Sequence, residues 1–347
     1  MKTNLTKKIN KLNAWVFNYS LIFLISFLTL GLTWQSAEAI VIQKFERNVK
    51  TGYAVRTLVE KLPRAKVEEN LREFVKISRP SRLLGSEGHN KARAFLESKL
   101  KLFSINGGSY SKEEFSSFDN INGMNFIWEK KGILAPDEVI ILGANYDTFF
   151  SAGKSSVEMP GADNNASGVA ILLSMIELLA ELELPKSIKI VFLDAEEPGA
   201  LGSQDFVKKL MTNIGTQKIV GIINLTMLAH DTKVSDLEKR LNNFKLYMRT
   251  NYQALASLVT SSGKRLYGNM EFKETVLSTD KKFPATIESF WSLGLPAITL
   301  SQNREGDLNP RHNTSNDFVE TLNFNVFNNT YRYVTAAVLS WNYGIVK

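Results

Sequence analysis

Two almost unbroken aliphatic runs, Glu138-Val139-Ile140-Ile141-Leu142-Gly143-Ala144 and Ser187-Ile188-Lys189-Ile190-Val191-Phe192-Leu193, limit the folds open to this chain more than any other feature. A strand with one wet face alternates polar and apolar residues, whereas a strand covered on both faces reads as continuous hydrophobic sequence. Both runs therefore predict central strands of one sheet. Between them, residues 169–184 carry apolar side chains at helical spacing until Pro185 ends the pattern, and Asn165 stands where a cap belongs. Strand, helix, strand is the order of an α/β protein. Further helices are expected over 67–77, 89–103, 252–262 and 325–341. Further strands are expected over 124–130, 218–225, 245–249 and 297–300, with 229–242 read as a loop.

The N-terminus has a different character. Lys2, Lys7, Lys8 and Lys11 stand without an acid before residues 15–34, a stretch of mostly apolar residues close to the length that spans a bilayer. The positive-inside rule leaves the lysines in the cytoplasm and sends the rest of the chain across the membrane. Ala37-Glu38-Ala39 resembles a small-x-small cleavage site, so both a signal peptide and an uncleaved anchor stay open. The expected organisation is 1–39 for this signal or anchor, 40–65 for a juxtamembrane linker, and 66–347 for one large domain. That domain is expected to be periplasmic, extracellular or lumenal, or secreted if cleavage occurs near Ala39.

Composition excludes several classes. The chain has no cysteine, so a disulfide framework, a thiolate zinc site and a cysteine nucleophile are all excluded. Its formal charge of +7 owes four units to the early lysines, and no Arg/Lys stripe interleaved with aromatics follows, so no nucleic-acid partner is expected.

Four ordered segments carry chemistry: Gly143-Ala144-Asn145-Tyr146-Asp147-Thr148, then Pro160-Gly161-Ala162-Asp163-Asn164-Asn165-Ala166-Ser167-Gly168, then Ala195-Glu196-Glu197-Pro198-Gly199, and Asn309-Pro310-Arg311-His312-Asn313-Thr314. With Leu84-Gly85-Ser86-Glu87-Gly88-His89-Asn90 ahead and Gly202-Ser203-Gln204-Asp205-Phe206 behind the double glutamate, the set resembles the zinc aminopeptidases of peptidase family 28. These are related to bacterial leucyl aminopeptidase, glutaminyl cyclase and the transferrin receptor ectodomain. The resemblance covers roughly 250 residues and rests on ordered, consistently spaced motifs. It implies a three-layer sandwich around a central, mostly parallel mixed sheet.

It also implies positions for the chemistry. Hydrolytic members hold two zinc ions with two imidazoles and three carboxylates, and a further glutamate acts as general base. The metal positions fall on Asn145, Asn164, Glu197, Thr226 and Asn313, and the general base on Glu196. Only Glu197 keeps a ligand chemistry suited to zinc, because Asn and Thr offer neutral oxygens that do not balance a dication. Without metal, Asn145, Asn164 and Asn313 are expected to hydrogen-bond one another and Glu197 as a self-satisfied polar cluster. Asp147 is expected to accept hydrogen bonds from nearby backbone, and Asp147 and Asn165 to line the cleft. A shifted single-zinc site from Asp163, Glu197 and His312 is the alternative, as is a calcium or magnesium site using asparagine oxygens, Asp147 and Glu197. His89 and His230 read as isolated surface or capping residues.

Three functions follow. The leading one is a non-catalytic pseudopeptidase that binds or scaffolds an unidentified peptide or protein at the membrane, with no cofactor. The second is a zinc-dependent aminopeptidase-type hydrolase or cyclising enzyme with an altered site. The third is a metal-independent hydrolase using Ser151, Ser155 or Ser167, although none of them stands in a Gly-x-Ser-x-Gly elbow.

Overall fold

The computed structural model describes residues 52–116, 122–148, 158–231, 244–267, 272–277 and 285–345. The expected anchor or signal segment, the linker residues before 52 and Ser151 and Ser155 lie outside the described residues, as does most of the expected loop 229–242.

The two aliphatic runs are the parallel central pair, β3 (Ala135–Asn145) and β4 (Lys186–Leu193), in register from Val139↔Ser187 to Asn145↔Leu193. Around them lie β1 (Ser109–Ser116), β2 (Asn122–Lys130), β5 (Lys218–Leu225), β6 (Phe244–Met248), β7 (Lys273–Val276) and β8 (Ala297–Gln302). The sheet order is β1-β2-β4-β3-β5-β8-β6-β7. The β3–β4, β3–β5, β5–β8 and β6–β7 pairs are parallel and the other three antiparallel, giving the mostly parallel mixed sheet expected.

Helices cover both faces. On one side pack α1 (Gly52–Val59), α2 (Arg64–Ile77), α3 (Glu87–Asn106), α4 (Ser167–Ala180), α6 (Gln253–Tyr267) and α8 (Phe324–Asn342), within the larger of two apolar clusters. On the other side α5 (Leu201–Thr212) and α7 (Ala285–Trp291) pack Phe206, Val207, Leu210, Ile287 and Phe290 against Val139, Ile141, Val191 and Ile222. Alternate residues of β3 thus feed opposite clusters, which is why its sequence shows no polar face.

Several boundaries differ from the sequence reading. The folded domain begins before residue 66, because Val55 and Val59 of α1 are fully buried in the main core. Helix α4 stops at Ala180 rather than 184, where Glu181 caps it and Leu182 closes on Leu179 with a backbone hydrogen bond. Strands β1 and β7 at the two sheet edges escaped prediction because edge strands with charged, exposed side chains, such as Ser109-Tyr110-Ser111-Lys112-Glu113-Glu114, show no apolar run.

Gly202, in the first turn of α5, lets that helix sit directly on the end of β4. A Cβ there would lie 2.1 Å from the Asp194 carbonyl and 2.7 Å from Asn125 Oδ1. Gly202→Ala is therefore expected to destabilise the domain by about 3 kcal/mol, the upper range for overpacking against backbone. Urea denaturation checks this; a midpoint equal to wild type would mean that the helix start is free to shift.

Candidate functional site

In a parallel α/β sheet the loops leaving the carboxyl ends of neighbouring strands gather at one edge. Here that edge assembles the sequence motifs. The pairing Asn145↔Leu193 sets the end of β3 beside the residues that follow β4, Asp194 to Glu197, while Gly143↔Asn224 brings in the end of β5 and, beyond it, Thr226. A tight buried turn, Ala162–Ala166, enters from Gly161 in the left-handed conformation (φ 55°), and Asn313 arrives from the loop before α8. Asn145, Asn164, Glu196, Glu197, Thr226 and Asn313 all line one cavity of about 250 Å³, together with Arg304, His312, Asn224, Thr286, Gly199 and Ala285.

Their hydrogen bonds form two sets. Asn164 donates both amide hydrogens, to Glu197 Oε1 (3.0 Å) and to Asn313 Oδ1 (2.8 Å). Asn145 belongs to a different pair: its Nδ2 donates to Asp147 Oδ1 (3.1 Å) and its Oδ1 accepts from Asn165 Nδ2 (2.9 Å). The expected single asparagine cluster is thus corrected to Asn164–Asn313–Glu197 beside Asn145–Asn165–Asp147. The two are joined where Glu197 N donates to Asp147 Oδ2 (2.9 Å), the backbone contact expected of Asp147. Asn165 does face the start of α4, accepting from Gly168 N (3.3 Å), but the formal cap is Ala166, and Asn165 also accepts from Met227 N (3.0 Å). Fully buried, Asn165 and Asp147 lie behind the cavity wall rather than on it.

Glu196 is held on both oxygens, by Ser203 N and by the Thr286 hydroxyl. Burial pushes its carboxyl up to about 7 even though both contacts favour the ionised form. The shifted metal site does not assemble. Asp163 is fully buried and accepts from Ala229 N (2.9 Å), Asn309 Nδ2 (2.9 Å) and Gln302 Nε2, whereas Glu197 and His312 line the cavity without it. Burial and the Arg304 charge lower the His312 imidazole to about 4, leaving it neutral at pH 7.

The donor set does not fit zinc. Among the described residues no group of three or more His, Asp or Glu side chains is placed to hold a metal ion. At the position of the bridging carboxylate, Asn164 turns amide hydrogens toward Glu197, and N–H groups repel a cation.

The charge that does balance these acids comes from Arg82. It is fully buried and donates to Tyr146 O (2.7 Å), Pro160 O (2.6 Å) and Gly161 O (2.8 Å), and its field favours ionisation of Glu197 and Asp317. Even so, burial leaves Asp163 and Glu197 raised, and burial together with repulsion from neighbouring acids raises Asp147 and takes Asp317 up to about 7. A second strut corrects the reading of His89 as a surface residue. The His89 ring is fully buried, accepts from Gly85 N at Nδ1 (3.3 Å) and so donates from Nε2 to Asp194 Oδ1 (2.8 Å), while Arg93 holds Asp194 Oδ2 (2.6 Å). His230 is buried as well, and Ser167 Oγ donates to Asp163 O (2.8 Å) while accepting from Leu228 N (2.9 Å), so it is a structural tie.

This constellation at the strand ends accompanies a sequence match: the model of peptidase family M28 aligns with residues 125–338. The chain belongs to peptidase family M28. Other proteins resemble it over shorter stretches. The aminopeptidase YwaD of Bacillus subtilis is 34% identical over 100 residues, 28% of this chain and 20% of that protein. The alkaline phosphatase isozyme conversion protein of Escherichia coli is 27% identical over 125 residues, 34% of this chain and 35% of that one. The matched stretch therefore spans about a third or less of these relatives' own length. The LapA aminopeptidase of Legionella pneumophila shares the fold with a TM-score of 0.68 at 17% identity, covering 85% of this chain and 76% of that one. The glutaminyl cyclase of Porphyromonas gingivalis does so at 0.63 and 20%, covering 80% and 98%.

Sequence motifs located this M28 site but missed Arg82, Asp194, Ser203, Thr286 and Arg304 as its partners. Arg82 lies two residues before the Leu84-Gly85-Ser86 segment, and a lone arginine beside a turn carries no periodic signal. Thr286 lies outside the motif segments, in a stretch with no distinguishing pattern.

The raised acids make stability pH-dependent. The folded Glu196 carboxyl titrates near 7 against an ordinary 4.5, so its contribution is fully present below about pH 4.5 and is lost as pH rises through 7. Asp317 acts in the same direction, and His312, lowered on folding, in the opposite one at acid pH. The melting temperature is expected to fall between pH 5.5 and pH 8, and to fall less in Glu196→Gln. Calorimetry across that range tests this, and an identical slope in both proteins would remove Glu196 as a source.

Proposed function

We propose that this chain is a non-catalytic member of family M28, a pseudopeptidase domain that acts by binding, uses no metal, and is held at the outer side of a membrane by its N-terminal segment. The observation that carries the reading is the pair of hydrogen bonds by which Asn164 joins Glu197 to Asn313. Three positions that would surround a metal are satisfied by one another, so the site has no need of an ion to be stable. The general-base position supports the same reading, because both carboxylate oxygens of Glu196 are tied, to Ser203 N and to the Thr286 hydroxyl. The outer-side location rests on the early lysines and the apolar stretch 15–34. Among the described residues no helix is long and apolar enough to cross a membrane.

A second reading, an altered metallohydrolase, draws on the retained Glu196-Glu197 pair and on relatives named as aminopeptidases. Elemental analysis of the full-length chain, purified without chelator and then offered zinc, separates the two when combined with aminoacyl-nitroanilide and glutaminyl-peptide assays. Well below one zinc per chain and no turnover are expected. The combined Asn145→His, Asn164→Asp, Thr226→Asp and Asn313→His substitutions are expected to confer zinc binding. One tightly held ion in the unaltered protein, lost in Glu197→Ala, would establish the metallohydrolase instead.

A further inference from the structure

The hydrogen bonds around the cavity divide its polar atoms into those that are spent and those that are not. Asn145 uses both ends of its amide, on Asp147 Oδ1 (3.1 Å) and Asn165 Nδ2 (2.9 Å), and Glu196 has a donor on each oxygen. The row from Glu197 through Asn164 to Asn313 is only half spent. Asn164 Nδ2 lies 3.0 Å from Glu197 Oε1 and 2.8 Å from Asn313 Oδ1. Glu197 Oε2, Asn164 Oδ1 and Asn313 Nδ2 keep no hydrogen-bond partner among the described residues. The two polar atoms of a carboxylate or an amide share one carbon and stand roughly 2 Å apart, so neighbouring unspent atoms in this row are no more than about 8 Å apart. Two protein atoms bridged by a pair of adjacent hydroxyls, through hydrogen bonds about 2.8 Å long, stand up to about 8 Å apart as well.

The end of β5 adds to the set. Thr226 lines the same cavity with an unpartnered hydroxyl, and Asn224 spends its Nδ2 on Thr299 Oγ1 (3.5 Å) but keeps Oδ1. The unspent atoms thus mix acceptors, an amide donor and a hydroxyl. The charge of Glu197 is already offset by the fields of Arg304 and Arg82, and Arg304, which has an interaction of its own, is not called on. An ammonium only donates and a carboxylate only accepts, whereas each hydroxyl does both. No Phe, Tyr or Trp stands in the lining, so recognition rests on hydrogen bonds rather than on stacking. The volume of about 250 Å³ lies below the roughly 300 Å³ at which pockets for drug-sized ligands begin. It suits one small ring.

Building on the metal-free reading above, we propose that the cavity binds a neutral polyhydroxylated molecule, a monosaccharide or cyclic polyol. Its adjacent hydroxyls bridge Glu197, Asn164 and Asn313, and a further one meets Thr226. A ligand with a single hydroxyl reaches one of these positions at a time, so affinity rises with the number of adjacent hydroxyls.

Saturation-transfer NMR tests this on the full-length chain in phosphatidylcholine nanodiscs, which avoid sugar detergents, with chelator present and zinc measured on the same sample. The probes are glucose, galactose, myo-inositol, trans-1,2-cyclohexanediol and cyclohexanol, with alanine and acetamide as controls. The best of the three polyols is expected to bind at least about tenfold more tightly than cyclohexanol, with the diol between them. Thr226→Val, which removes the hydroxyl at constant shape, is expected to weaken that binding about tenfold. Asn313→Ala is expected to weaken it at least as much, with melting curves confirming that both variants fold. Polyols no tighter than cyclohexanol, alanine or acetamide as tight as the best polyol, or unchanged affinity in both variants overturns the proposal. Silence toward every polyol in zinc-free, inactive protein sinks this inference alone, whereas stoichiometric zinc with turnover sinks the pseudopeptidase reading beneath it.

Discussion

Five buried carboxylates, those of Asp147, Asp163, Asp194, Glu196 and Asp317, and the part-buried Glu197 converge behind the carboxyl ends of the central strands, and meeting their charge away from water is the constraint on which the site depends. An ionised acid in a low-dielectric interior costs several kcal/mol unless its charge is met by donors or a counter-charge. The chain meets it in three ways. Arg82 places a buried cation among them, His89 and Arg93 clamp Asp194, and backbone N–H groups of Asp163, Asn164, Glu197, Ser203 and Ala229 are aimed at the remaining oxygens. Asp194 is the one that ends below the usual carboxylate range. Burial opposes that, and its two cationic or donor partners outweigh the burial.

Within that setting the substitutions at the ligand positions act together. An aspartate at 164 would put another anion beside Glu197 and would need a cation to separate them. Asparagine at the same place turns repulsion into two hydrogen bonds. The same logic holds at 145, where the amide serves both Asp147 and Asn165. At these positions the polar groups are met by directional donors, each amide serving two neighbours.

The central strands and the helix between them were legible because burial on both faces leaves an unmistakable pattern in sequence. The end of that helix was not, since Leu182 and Leu184 continue the apolar spacing after the backbone has already turned at Glu181. The positions of the site were legible from ordered motifs, and so was the chemical consequence of asparagine at 164 and 313. Which asparagine meets which partner was not, because the pairing of Asn145 with Asn165 rather than Asn164 depends on side-chain direction at the turn of residues 162–166. His89 was misread for a related reason: a histidine in a helix's first turn is indistinguishable by spacing from a surface cap until the packing partner, Asp194, is known.

By itself the sequence determined that the sheet is central and mostly parallel, that its strand ends carry the motifs, and that four of the five positions the family resemblance marks for metal ligands hold Asn or Thr, with Glu197 kept. Those properties are local, written in hydrophobic period and in the identity of residues within short motifs. Only the tertiary structure decided that Arg82 is buried beneath the acids, that Thr286 caps Glu196, that Asp163 turns away from the cavity, and that Arg304 lines the same cavity as Glu197. These contacts join residues 60 to 150 positions apart, and in such contacts electrostatics and hydrogen bonding depend on distance in space, which the linear pattern does not encode.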